Sequence, residues 1–160
     1  MDLDELNQCS RKEFVDALGW IFEQSPWVAD RAWFRRPFRT LAALHEAMCD
    51  EVSRASYDEL MELLRAHPDL GARAGVSGAS ASEQAGAGLD RLSPEELRRL
   101  LEWNRRYREK FEFPFLYAVK GSRPREILQA LEERLERTPE EELREALRQV
   151  YRIAWFRLEA

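Results

Sequence analysis

Apolar residues return every three or four positions along most of the chain. They run through Phe14, Leu18, Ile21 and Phe22; Leu41, Leu44, Met48 and Val52; and Leu60, Leu63 and Leu64. They resume at Leu97, Leu100, Leu101 and Phe111, with Asn104 among them, then Ile127, Leu128, Leu131 and Leu135, and finally Leu143, Leu147, Val150, Ala154 and Leu158. That spacing sets an apolar stripe on each of a series of helices. Period-two alternation is nowhere sustained, and "FPFLYAVKG" (113–121) reads as a single extended apolar segment with no sheet to join. Helix starts are marked by Ser or Thr followed three residues later by Glu, a pair that satisfies the first free N–H groups reciprocally. Such boxes occur at Ser10/Glu13, Ser56/Glu59, Ser80/Glu83, Ser93/Glu96 and Thr138/Glu141. Pro26, Pro94 and Pro139 each follow a Ser or Thr, where a missing N–H costs a first turn nothing. The pattern predicts an all-α fold of about eight helices in one compact domain over residues 1–160.

Composition then narrows the setting. At 160 residues, 44% of them hydrophobic, the chain can bury a core without disulfides or metals. A net charge of -5 with both signs interspersed argues against nucleic acid as the main partner. Cys9 and Cys49 form neither a CxxC pair nor a disulfide framework, which suits free thiols in a reducing compartment. No apolar run approaches the ~20 residues of a membrane helix. The acidic start "MDLDEL" lacks a secretory n-region, so no membrane partner and a cytoplasmic location are expected.

Gly71, Gly75, Gly78, Gly86 and Gly88 crowd residues 71–88, a stretch without obvious helix that reads as a functional or mobile loop. It begins beside His67, which follows Leu63 and Leu64 on the leucine face and is stopped by Pro68. Two readings of His67 stand side by side: a half-buried imidazole capping the last carbonyls, or an acid/base group balanced between the negative helix end and burial. Arg157 lies three residues after Ala154, near the apolar face of the last helix. A guanidinium there needs an anion or several acceptors, so it is a salt-bridge partner, a snorkelling side chain or an anion binder. Glu83 in "SASEQAGAG" reads first as the far half of a capping box with Ser80, at a helix start whose free N–H groups can also meet an oxygen-rich ligand.

Weaker signals are read as packing. His45 and Cys49 stand four apart without an HExxH or a further Cys/His cluster, so no metal is expected. There is no GxGxxG or Walker loop, and neither cysteine has a histidine close in sequence to activate it, save His45 on the same apolar helix. Trp27, Trp33 and Phe34 are expected to build core, with an oligomer surface as the other use of such residues.

Taken together, "FEQSPWVADRAW", "RPF", "AHPDLGARAG", "SASEQAGAGLDRL", "NRRYREKFEFPFLYAVKG" and "RIAWFRL" resemble the 2-oxo-4-hydroxy-4-carboxy-5-ureidoimidazoline (OHCU) decarboxylase family, in order and from about residue 13 to residue 158. The resemblance implies an all-α enzyme of urate breakdown, without cofactor and usually homodimeric, that converts OHCU, a small ureidoimidazoline, to (S)-allantoin. It implies a catalytic role for His67 of the HPDL block. Ser80, Glu83 and Gln84 match the S-x-x-E-Q group that binds substrate, with Glu83 catalytic, and Arg157, matching the arginine of the terminal I-x-x-x-R-L pattern, is implied to be catalytic as well. Pro68 adjoins the histidine, and Phe115, Leu116 and Tyr117 match the segment whose main chain meets the ligand.

Two departures bear on substrate preference rather than on reaction class: "HPDLGAR" exchanges Gly and Ala relative to the more frequent HPDLAGR, and Tyr117 stands where an aliphatic residue is usual. The ending "RLEA" also lacks an SKL-type peroxisomal address. Two other readings remain open from the residues: a decarboxylase or hydrolase of a different ureide or hydantoin, and a non-catalytic helical interaction protein.

Overall fold

The structure, a computed structural model, describes residues 1–72 and 76–160. Among the described residues are nine α-helices, a short 3₁₀ turn at Trp33–Arg35 and no strand, so the all-α expectation holds with one helix more than the sequence pattern marks. The chain forms two compact units, Met1–Ala66 with Tyr151–Ala160, and His67–Val150.

The first unit contains α1 (Leu3–Gln8), α2 (Arg11–Leu18), α3 (Trp27–Ala32), α4 (Leu41–Ser53), α5 (Tyr57–Arg65) and the end of α9 (Pro139–Glu159). The predicted boxes start α2 and α5, where Ser10 and Ser56 accept from the N–H of Glu13 and Glu59 and those glutamates accept in return. Asp2 and Glu5 do the same for α1, a start that the Ser/Thr signature does not mark. α3 packs on α2 and α4. Its inner face is Val28, Ala29 and Ala32, all buried, as are Phe14 of α2 and Leu44 and Met48 of α4.

Pro26 stands at the cap position of α3, one residue ahead of the helix, and no side chain caps it. Ser25 instead donates its hydroxyl to the Glu23 carbonyl at 2.8 Å. The expected core role of Trp27, Trp33 and Phe34 is not what the fold shows. None of the three is buried, Phe34 is 64% exposed, and Arg31, Arg36 and Arg11 lie over the three rings at 4.5, 4.3 and 4.8 Å. Small residues fill α3's inner face, so the large rings turn outward onto guanidinium faces.

The second unit contains α6 (Gly78–Gly86), α7 (Pro94–Phe111), α8 (Pro124–Leu135) and the first part of α9. α7 packs on α8, and Leu100, Tyr107, Phe115, Ile127 and Leu131 are fully buried there. Ser93/Glu96 and Thr138/Glu141 form reciprocal boxes as predicted. α7 ends at Glu112 in the left-handed region (φ 65), and residues 113–119 then run without helix or strand.

The box predicted at Ser80/Glu83 does not form. α6 starts earlier, Ser77 is its cap and accepts from the Ser80 N–H at 3.1 Å, so Ser80 lies inside the first turn. The glycine-rich stretch is therefore partly helical, and Gly75 lies outside the described residues. No helix among the described residues is long and apolar enough to cross a membrane.

Candidate active site

His67 and Pro68 follow the end of α5 by two and three residues, and His67 is buried. The turn after them is held at three successive residues. Arg108 Nη2 meets Asp69 Oδ1 at 3.0 Å, Asn104 Nδ2 donates to the Leu70 carbonyl at 2.9 Å, and the Gly71 N–H donates to Gln84 Oε1 at 2.9 Å. Asn104 and Arg108 sit one helical turn apart on α7, so a single face of that helix serves two of these contacts. Gly71 has φ +83, and a Cβ there would meet Leu100 Cδ2 at 2.8 Å, which accounts for glycine at this position of "HPDLGAR".

The S-x-x-E-Q group occupies one side of α6. Residues 80, 83 and 84 stand at i, i+3 and i+4, and Ser80 and Gln84 are buried while Glu83 is half-buried. Because Ser77 caps the helix, Glu83 is not a capping residue. Gln84 fixes the turn after His67 through Oε1, so the same residue ties the histidine-bearing segment to α6.

The segment Phe115–Tyr117 is built by aromatic packing. Phe111, Phe113 and Phe115 surround Tyr107 with ring centroids 4.5, 6.0 and 5.5 Å away, and Phe115 stacks on Tyr117 at 6.0 Å and 25°. The Tyr117 hydroxyl lies 3.1 Å from Ser122 Oγ, so it is bound to the following turn. Arg134 donates to the Leu116 carbonyl at 2.6 Å and to Glu142 Oε1 at 2.7 Å, and Gln149 Oε1 accepts from the Ala118 N–H at 2.9 Å. Burial pushes the Tyr107 phenol well above its ordinary range, so it stays protonated and donates to Glu142 at 2.5 Å.

Arg157 lies in the first unit, buried, and its surroundings are those of a structural ion pair. Nη2 meets Glu23 Oε2 at 2.9 Å, and Nη1 donates to the carbonyls of Trp20 and Ile21 at 3.0 and 3.4 Å. Of the three readings open for Arg157, the salt bridge is formed. Glu23 neutralises the guanidinium, so Arg157 acts on anything beside it as a set of aimed N–H donors more than as a bare cation.

Glu23, Asn104, Arg134, Glu142 and Gln149 are the residues that the sequence reading did not single out for this chemistry. The signal that found Arg157, a polar group at an apolar position of a helix, was equally present for Arg134, three after Leu131, and for Glu142, four before Ala146. Glu23 lies outside any helix, so no periodicity exposes it.

His45 and Cys49 behave as packing residues. His45 Nε2 lies 2.8 Å from the Tyr151 carbonyl and 3.4 Å from Cys49 Sγ, and its ring meets Trp155 edge-on at 5.3 Å. Burial pushes the Cys49 thiol up to about 12. The described residues contain no group of three or more metal-ligating side chains. A cavity of about 430 Å³ in the second unit is lined by Gly71, Gln84, Leu89, Asp90 and Leu97 among others. Gln84 alone of the predicted site residues lines it.

Residues 7–159 match the family model described as OHCU decarboxylase. The chain is 45% identical over 159 residues to a 2-oxo-4-hydroxy-4-carboxy-5-ureidoimidazoline decarboxylase of Halalkalicoccus jeotgali, covering 99% of this chain and 90% of that one. It is 44% identical to the decarboxylase so named from Haloferax volcanii, covering 99% and 94%. Among solved structures it is similar to an (S)-allantoin synthase, with a TM-score of 0.82 and 33% identity, covering 99% of this chain and 53% of that one. It is also similar to an OHCU decarboxylase solved in the presence of (S)-allantoin, with a TM-score of 0.70 and 28% identity, covering 82% and 87%.

Proposed function

The chain belongs to the OHCU decarboxylase family, and from that membership we propose that it is a carboxy-lyase that decarboxylates OHCU to (S)-allantoin in urate breakdown. The observation that carries this reading is similarity over nearly the whole length to two proteins named for that reaction, each itself covered to nine-tenths or more.

The reaction suits a site built from side chains and main chain. The bond between the carboxylate and the hydroxyl-bearing ring carbon breaks, releasing CO₂, and its electron pair forms a double bond to the ureido-bearing carbon as the ring C=N takes up the charge on nitrogen. The ring nitrogen takes up one proton from water, the hydroxyl gives up its proton to become a carbonyl, and a proton delivered to the ureido-bearing carbon sets the handedness of allantoin. The substrate thus supplies its own electron sink, so the reading is cofactor-independent.

Among the side chains, His67 is assigned the proton transfer, at the hydroxyl or at the carbon. Glu83 holds N–H groups of the substrate together with Ser80 and Gln84, and Pro68 shapes the wall beside the histidine. Arg157 donates to a ring carbonyl or developing oxyanion. The main chain of Phe115, Leu116 and Tyr117 pairs with the amide groups. Cytoplasmic location and a homodimer complete the reading.

The test uses OHCU generated fresh by urate oxidation and follows circular dichroism. The protein, before and after treatment with a chelator, is expected to produce an (S)-allantoin signal well ahead of the racemic spontaneous reaction. Turnover no faster than the enzyme-free background would reject the activity, and loss of turnover on chelation would reject cofactor independence.

A further inference from the structure

We propose that Arg134 and Gln149 are positioning residues that clamp one main-chain edge of the Phe115–Ala118 segment and thereby present the other edge, the N–H and C=O groups of Phe115 and Tyr117, to the ureide of the ligand. The inference deepens the decarboxylase reading and rests on it.

Its starting point is the backbone. The stacking of Phe115 on Tyr117, and the flanking of Tyr107 by both Phe113 and Phe115, put side chains two residues apart on one side, as an extended chain does. In such a chain the N–H and C=O of one residue point to the same edge, and those of the next residue point to the opposite edge. The clamp follows that alternation. Arg134 Nη1 takes the Leu116 carbonyl and Gln149 Oε1 takes the Ala118 N–H, so both bonds fall on residues 116 and 118.

The main-chain groups of Phe115 and Tyr117 pair with nothing among the described residues, although Phe115 is buried and Tyr117 half-buried. Main-chain N–H and C=O groups withdrawn from water need a partner. A ureide, with N–H and C=O side by side, offers the complementary pair.

The clamp is itself immobilised. The Arg134 guanidinium lies over the Phe115 ring at 4.5 Å while its edges meet Glu142 Oε1 at 2.7 Å and the Tyr107 hydroxyl at 3.3 Å. Gln149 Nε2 is anchored in turn on Glu145 at 3.1 Å. A buried ion pair is an ineffective source of net stability compared with apolar packing. What Arg134 and Glu142 supply is a fixed plane that locks Phe115 through its ring and Leu116 through its carbonyl.

The test compares the wild-type chain with Gln149→Met, which keeps the volume and removes the acceptor. Amide exchange, read without ligand, is expected to speed up at Ala118. KM for fresh OHCU and Kd for (S)-allantoin are expected to rise about tenfold per folded molecule, with a smaller fall in kcat. Arg134→Lys, which keeps the charge against Glu142 but not the planar fork, should show the same pattern if Gln149→Met fails to fold.

Unchanged exchange at Ala118 would overturn the clamp. Faster exchange with KM and Kd within about twofold of wild type would overturn its link to the ligand. A wild-type chain that neither turns over OHCU nor binds (S)-allantoin would overturn the family reading instead, and the exchange data would still show whether the clamp holds the segment.

Discussion

At the scale of single residues, the sharpest question is what Arg157 does beyond its ion pair. Arg157 and Glu23 have side chains 3% and 2% exposed, so removing one partner strands a buried charge. Arg157→Leu is expected to cost about 3–5 kcal/mol in urea unfolding, whereas Glu23→Leu/Arg157→Leu together recovers most of that loss. If Arg157 also donates to the substrate, the double variant is stable and still inactive; a double variant with wild-type turnover would reduce Arg157 to structure. A second residue-scale expectation concerns Cys49. With its thiol held up at about 12 by burial, the thiolate fraction at pH 8 is negligible, and iodoacetamide should leave Cys49 unlabelled in the native protein until the pH nears that value. Mass spectrometry showing rapid labelling at pH 8 would contradict that burial. The histidine and arginine were legible in the sequence because each interrupts an apolar helical pattern. Glu23 was not, because an acceptor in an irregular segment meets its partner only through the fold.

At the scale of elements, α6 is capped by Ser77, so the binding role proposed for Ser80 can be tested apart from capping. Ser77→Ala removes the cap and is expected to lower stability by about 1 kcal/mol with KM unchanged. Ser80→Ala leaves the cap intact and should raise KM for OHCU with little loss of stability. Reversal of the two outcomes would return Ser80 to a structural role. The sequence misplaced this start because "SGAS" and "SASE" both carry a serine ahead of a polar partner, and a helix of Gly, Ala and Ser has no apolar stripe to choose between them. Where a leucine-rich stripe accompanies the signal, as in α5 and α7, the helix starts at the marked serine. The turn after His67 shows the same dependence on contacts. Gly71→Ala forces a side chain into φ +83 and onto Leu100, so a loss of about 2 kcal/mol together with reduced turnover is expected from thermal unfolding and the decarboxylation assay. A variant with wild-type stability would show that the turn relaxes.

At the scale of the whole molecule, the periodicity made the all-α class plain, because a stripe every three or four residues specifies helices wherever it is sustained. It carried no information on which helices share a unit. α9 contributes Pro139–Val150 to one unit and its remainder to the other, a division invisible in an unbroken helical pattern. We propose that residues 1–160 nevertheless fold as one domain. Unfolding followed by far-UV circular dichroism and by tryptophan fluorescence is then expected to coincide in a single transition, and two separated transitions would contradict it. The candidate site stands out in the sequence as a set of polar residues and through the family resemblance, whereas the contacts on Phe115–Ala118 do not, because main-chain pairing leaves no mark in the sequence. The central claim is that this chain decarboxylates OHCU with His67 moving the proton. The most direct test is the stereochemical assay on His67→Asn beside the wild type, with folding checked by thermal unfolding. The account predicts a folded variant whose product falls to the racemic background; a folded variant that still makes (S)-allantoin at the wild-type rate would contradict it.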